Sequence, residues 1–204
     1  MYNRLEVEKK LWTEGFKRVM GLDEVGRGCL AGPVVAAGVI LNKDDLIDDI
    51  RDSKAIPEPE RRELAEEIKN RAEFWTVKEC STIEIDELNI LWASIKAMEK
   101  CTEVEGALPD YLLVDGNKFS PSLIPHTCIV KGDDKSMSIG AASILAKVYR
   151  DDLMRKLHKK FPYYSWDTNV GYPTVAHYKG LQNKGITVHH RRSFNLKTEK
   201  LYTG

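Results

Sequence analysis

A chain of 204 residues with 42% apolar and 30% charged side chains has the composition of an ordinary soluble globular protein, long enough for one packed domain. Thirty-one basic residues balance 31 acidic ones, so net charge does not point to a polyanionic partner, but the charges are sorted: residues 44–110 hold 19 acidic and 9 basic side chains, residues 147–204 hold 12 basic and 4 acidic. Four widely spaced cysteines without a C-x-x-C pair argue against a disulfide framework or a zinc site, and the longest nearly apolar run, residues 30–41, is too short for a bilayer, so a cytoplasmic protein with reduced thiols is expected.

Residues 3–15 read as an amphipathic helix, with Asn3 and Glu6 spaced as a capping box and Leu5, Trp12 and Phe16 on or near one side. Residues 18–23 and 34–41 read as two strands of a hairpin built around G-L-D-E-V-G-R-G-C-L-A-G at 21–32. That stretch sets Asp23 and Glu24 side by side at a strand end. Neighbouring side chains of a regular strand point to opposite faces, so both acids can meet one ion only where the strand ends or twists. Gly26-Arg27-Gly28 supplies that freedom, with a backbone open to close approach and a cation that favours an anionic partner. Taken alone, the same residues also describe a solvated turn with surface acids.

Asp52-Ser53-Lys54 precedes Pro57, Pro59 and a charged helix over residues 60–71; Ser53 reads as a turn or capping residue, and Lys54 equally as a solvated cation or a contact. Residues 74–80 read as a third strand. Residues 83–100 read as one helix with Ile83, Leu88, Leu91, Trp92, Ile95 and Met98 packed inward. D-Y-L-L-V-D-G at 110–116 reads as a buried strand that presents Asp115 at its C-terminal end, where open α/β sheets place ligands. A short strand over 126–130 leads to K-G-D-D-K at 131–135. A long helix over 136–161 follows, rich in small residues first and basic later. Beyond Phe161 the chain is loop-rich, with a short helix near 175–184. Without repeats or linkers, one domain over 1–204 is expected.

Asp23, Glu24, Asp115 and Asp133 thus stand at the ends of separate predicted elements. Close carboxylate pairs repel by about 4 kcal/mol at an effective dielectric near 20. The chemistry that needs such a set is binding of a hard divalent cation, Mg²⁺ or Mn²⁺. Two such ions about 4 Å apart can activate water and stabilise a leaving oxygen in phosphodiester hydrolysis. The lack of G-x-x-x-x-G-K-[ST] argues against a nucleoside triphosphatase.

At this point D-E-V-G-R-G at 23–28, L-A-G-P-V at 30–34, D-S-K at 52–54, V-D-G at 114–116, K-G-D and then I-G-A-A-S-I-L-A-K-V-Y-R-D within 131–151, G-Y-P-T at 171–174 and H-R-R-S-F at 190–194 carry a resemblance. Over almost its whole length the chain resembles bacterial ribonuclease HII. The resemblance implies an α/β, ribonuclease H-like fold: a mixed five-stranded central sheet flanked by helices, with a C-terminal helical and loop extension from about residue 162 closing over substrate. It implies a metal-dependent endonuclease that hydrolyses the RNA strand of RNA–DNA hybrids and nicks DNA duplexes 5′ of single embedded ribonucleotides, leaving 3′-hydroxyl and 5′-phosphate ends. By that resemblance Asp23, Glu24, Asp115 and Asp133 are the catalytic metal ligands, Asp133 rather than the adjacent Asp134. Gly26, Arg27 and Gly28 would read the ribonucleotide 2′-OH and adjoining phosphate, and Tyr172 would stack on the following deoxyribose.

The residues are compatible with those roles, because a glycine-rich backbone can approach the 2′-OH that separates RNA from DNA. Lys54, Lys147, Lys156, Lys159, Lys160, Arg191 and Arg192 are candidate phosphate contacts by charge alone, and His177, His189 and His190 read as surface residues without a catalytic role. A replication clamp is the protein partner to consider, and a monomer is expected. The competing expectations are a ribonuclease HIII-like hybrid nuclease without junction specificity, which the Gly26-Arg27-Gly28 turn disfavours, and a non-catalytic hybrid-binding module, which the four intact acids disfavour.

Overall fold

Apolar, β-branched runs build a five-stranded sheet in the computed structural model, which describes residues 4–47, 50 and 56–196. The strands are β1 (Val19–Val25), β2 (Val34–Ile40), β3 (Phe74–Cys80), β4 (Tyr111–Asp115) and β5 (His126–Ile129), in the order β3-β2-β1-β4-β5. β2 is antiparallel to β1 and β3, whereas β4 is parallel to β1 and β5, so the sheet is mixed. The helices are α1 (Glu6–Thr13), α2 (Glu58–Arg71), α3 (Thr82–Leu88), α4 (Ile90–Thr102), α5 (Gly132–Lys135), α6 (Met137–Lys160), α7 (Trp166–Asn169) and α8 (Val175–Lys184), with a 3₁₀ turn at Pro162–Tyr164.

Alternation along β2 assigns the two faces of the sheet. Val35, Ala37 and Val39 pack with Leu64 and Ile68 of α2 and with Ala141, Ala142 and Leu145 of α6. Val34, Ala36 and Ile40 pack on the opposite side with Ala93, Ile95, Ala97 and Met98 of α4. The small residues of α6 allow close docking: a Cβ on Gly21 of β1 would lie 2.2 Å from the Ser138 carbonyl carbon. A third apolar cluster joins Leu30 and Ala31 of the hairpin loop to Met154, Tyr164, Trp166 and Tyr178, and so fastens the C-terminal segment to that loop.

Several expectations change. The helix over 83–100 is two helices, broken at Asn89, whose φ of 66° ends α3 and whose side chain accepts the Leu91 and Trp92 N–H groups to start α4. The break turns Ile83 and Trp92 outward, 68% and 41% exposed, while Ile95 and Met98 are buried as expected. Leu88 and Leu91 are only half-buried, and Ile85 takes a core position instead. Ser136 is not helical but caps α6 by accepting the Ile139 N–H. Leu5 stands at the start of α1 without a side-chain cap; the Asn3 half of the expected capping box and Asp52-Ser53-Lys54 lie outside the described residues. The four cysteines are free thiols, and no described helix is long and apolar enough to cross a membrane.

Candidate active site

β1 and β4 run parallel with Leu22 beside Val114, so Asp23 and Asp115 are the next residues on neighbouring strands. Asp23 lies opposite Ala37 and Glu24 opposite Ala36, placing the two acids on opposite faces of a strand that continues to Val25. The expected strand end at Asp23 is therefore two residues too early. The carboxylates nevertheless meet at the sheet margin: one oxygen from each of Asp23, Glu24 and Asp115 lies within 4.8 Å of the others.

Local hydrogen bonds aim these groups. Asp23 Oδ1 accepts the Glu24 N–H at 2.7 Å, and Asp23 also bonds the Ser143 hydroxyl on α6. Asp115 Oδ1 accepts the Gly132 N–H at 2.6 Å, which ties the end of β4 to the start of α5. The next residue of α5, Asp133, is buried on the border of the same cavity. The fourth acid therefore stands beside the three-acid cluster rather than inside it. Arg27 Nη1 donates to Glu24 Oε1 at 3.1 Å.

Burial, then the charges of Glu24 and Asp115, push the Asp23 pKa well above the carboxylate range; the Ser143 hydrogen bond opposes this. Burial raises Glu24 to about 7 against the pull of Arg27. Buried like charges that resist ionisation are costly without a cation. Three converging carboxylate oxygens fit a hard divalent ion, which prefers oxygen ligands.

The cavity has a volume of about 410 Å³, and Gly26, Arg27, Gly28 and Tyr172 form its other side. Two fully buried arginines shape that side. Arg150 on α6 donates to the carbonyls of Ala31, Pro33 and Val170 at 2.7–3.0 Å. Arg191 donates to those of Arg27, Gly32 and Pro33 at 2.9–3.2 Å. Burial, then Arg150, lowers Arg191 to about 10. Gly26 has φ +96°, and a Cβ there would lie 2.2 Å from Arg150 Nε, so no other residue fits the turn. Tyr172 faces Gly28: a Cβ on Gly28 would stand 3.7 Å from the Tyr172 ring.

Lys147 also lines the cavity and donates to Asp151 at 2.8 Å. Arg191, expected at a phosphate, is fully buried structural support instead. Lys156 lines a separate groove with Lys69 and Trp75. His177 and His190, expected at the surface, are 0% and 2% exposed, and His189 is half-buried. Sequence reasoning missed Ser143 and Lys131, both on the cavity wall, and the role of Arg150. The available signal for Arg150 was its place in the I-G-A-A-S-I-L-A-K-V-Y-R-D motif.

The family model described as Ribonuclease HII matches residues 20–197. A Ribonuclease HII of Salinibacter ruber is 50% identical over 196 residues, 94% of this chain and 98% of its own. Among solved structures, the RNase HII of Archaeoglobus fulgidus in its complex with PCNA is 27% identical, with a TM-score of 0.71 over 89% of this chain and 96% of that one. The ribonuclease H2 of Pyrococcus horikoshii OT3 shares the fold, with a TM-score of 0.75 at 22% identity over 91% and 97% of the two chains.

Proposed function

The chain belongs to the ribonuclease HII family and is a ribonuclease H endonuclease, and from that premise we propose that it hydrolyses the RNA strand of RNA–DNA hybrids and nicks DNA duplexes on the 5′ side of a single embedded ribonucleotide. The products would carry 3′-hydroxyl and 5′-phosphate ends, and the task would be ribonucleotide removal from DNA in the cytoplasm. The observation that carries this reading is one cavity in which three convergent carboxylates face Gly26-Arg27-Gly28 and Tyr172.

Asp23, Glu24, Asp115 and Asp133 would hold Mg²⁺ or Mn²⁺, and two such ions would supply water activation and charge stabilisation at the leaving oxygen. The protein's part is orientation. Ser143 and the Glu24 N–H aim Asp23, the Gly132 N–H aims Asp115, and Arg27 steadies Glu24. Gly28 leaves the backbone open for a 2′-OH, and the Tyr172 ring opposite it would take the next sugar. Lys147 and Lys131 would meet phosphates at the cavity wall. Lys54 is proposed as a further phosphate contact on its motif alone. Residues 1–204 would act as one catalytic domain, with the segment from 162 on the substrate. A monomer that docks on a replication clamp is proposed by likeness to the archaeal relative solved with PCNA.

The test is cleavage of a DNA duplex carrying one ribonucleotide, beside an all-DNA control, in Mg²⁺, Mn²⁺ and chelator. Metal-dependent nicking immediately 5′ of the ribonucleotide is expected. Cleavage confined to long hybrids would remove the junction role of Gly26-Arg27-Gly28. Asp115→Asn should abolish cleavage while duplex binding persists.

A further inference from the structure

A buried polar chain runs from the fold interior to the backbone of Tyr172. His177 and His190 lie with their Nε2 atoms 3.2 Å apart, enclosed by Tyr164 and Trp166. The partners assign every ring proton. Trp166 Nε1–H can only donate, and it meets His177 Nε2 at 3.1 Å, so that nitrogen is an acceptor and the proton sits on Nδ1. His177 Nδ1–H therefore donates to the Tyr172 carbonyl, 3.0 Å away. The Thr187 N–H likewise meets His190 Nδ1 at 2.9 Å, which leaves the His190 proton on Nε2, where it shares the single lone pair of His177 Nε2 with the Trp166 N–H. Both rings are neutral near pH 7: burial lowers His177, and burial together with the neighbouring histidines lowers His190 to about 4.

A pocket built for packing alone has no need of two imidazoles, since buried polar groups stabilise only when fully bonded. Among the described residues, the one group of the active cavity that this polar network reaches is Tyr172. The neighbouring residue is also held, because the Gly171 carbonyl accepts the Leu30 N–H at 2.8 Å. The Tyr172 N–H also donates to the Asn169 carbonyl at 2.8 Å and its carbonyl accepts the Thr174 N–H at 2.9 Å, so the His177 bond is one of several that fix this backbone opposite Gly28.

We propose that His177, oriented by Trp166 and His190, is a positioning residue for cleavage: its Nδ1–H holds the Tyr172 backbone so that the ring meets the substrate sugar opposite Gly28. The inference rests on the reading of Tyr172 as a substrate contact.

The experiment compares single-turnover cleavage of a duplex containing one ribonucleotide by the full-length wild type, Tyr172→Ala, His177→Asn, His177→Gln and the double variant Tyr172→Ala/His177→Gln, with thermal melts of each. Asn can present an N–H near the Nδ1 position, whereas Gln presents one near Nε2. His177→Gln is expected to slow cleavage roughly 10- to 100-fold at saturating substrate, as a displaced contact does, and His177→Asn to recover most of the rate at a similar melting temperature. The double variant should be no slower than Tyr172→Ala, because His177 acts through that residue. Equal rates for the Asn and Gln variants, or a double variant slowed by the product of the single effects, would overturn the proposal. A wild-type rate for Tyr172→Ala would instead remove the reading of Tyr172 beneath it, and that outcome is seen in the Tyr172 variant alone.

Discussion

Asp23 and Glu24 sit where burial and neighbouring carboxylates hold protons on groups that a metal site needs ionised. For Glu24 the folded pKa is raised from 4.5 to about 7, so the fold favours its protonated form. The stability this contributes is present below about 4.5 and is lost as pH rises through 7, on the order of 3 kcal/mol. His190 works in the opposite sense, since its folded pKa is lowered from 6.5 to about 4 and it favours folding as pH rises across that window. The carboxylate effect is therefore read as wild type against Glu24→Gln in chelator from pH 5 to 8. The variant should gain melting temperature over wild type as pH rises, and Mg²⁺ should stabilise the wild type progressively over the same range because its ligands must be ionised. A constant gap between the two melts would sink the account of Glu24. By the same argument Asp23→Asn should abolish metal-dependent cleavage yet raise the metal-free melting temperature by about 2–6 °C, checked by calorimetry beside the cleavage assay.

The hairpin loop between β1 and β2 separates conformational need from substrate need. Gly26→Ala places a side chain at φ +96° and against Arg150, and should destabilise the fold by about 2 kcal/mol or more, seen as a lower denaturant midpoint. Gly28→Ala meets only the Tyr172 ring at 3.7 Å, so stability should change by less than about 0.5 kcal/mol while cleavage at a ribonucleotide falls about tenfold. Equal stability losses in the two variants would show that the loop is not built as described. The strands around this loop were legible because short β-branched runs bounded by glycine have few other solutions, and β3 has the expected bounds. The α3–α4 break was not, because 83–100 keeps a helical period straight through Asn89 and only its dihedral angle reveals the turn. The carboxylates were legible as acids at strand ends, but their convergence depends on the pairing of β1 with β4, 92 residues apart at Leu22 and Val114. His177, His190 and Arg191 were misplaced because their polarity says surface, and only the folded C-terminal segment supplies the partners that make their burial tolerable: each other and nearby backbone for the histidines, the carbonyl of Gly32, 159 residues away, for Arg191.

Across the whole molecule the formal charge is zero, so attraction to a duplex must come from where the cations stand. The excess of basic residues over 147–204 overstates the binding face, since Arg150 and Arg191 are buried on carbonyls and Arg155 pairs with Glu58 and Asp152. Among the described residues, the cations at the acid cavity are Arg27, Lys131 and Lys147. Three phosphate contacts, made as Arg27 and Lys147 exchange Glu24 and Asp151 for phosphate, give a slope of about −2.7 for log affinity against log salt, and affinity for a hybrid should fall roughly 40-fold between 50 and 200 mM salt; Lys54 as a fourth would steepen the slope by about 0.9. Lys147→Ala should make the slope shallower by about one. Lys156 lies nine residues further along α6, half a turn round the helix, in a groove that shares no lining residue with the cavity. Lys156→Ala should therefore leave the slope unchanged, as measured by fluorescence anisotropy in Ca²⁺ to suppress turnover. A wild-type slope steeper than about −6, shallower in both variants, would mean that the duplex follows the basic half of α6 as well as the acid cavity, and the binding face would have to be redrawn around that helix.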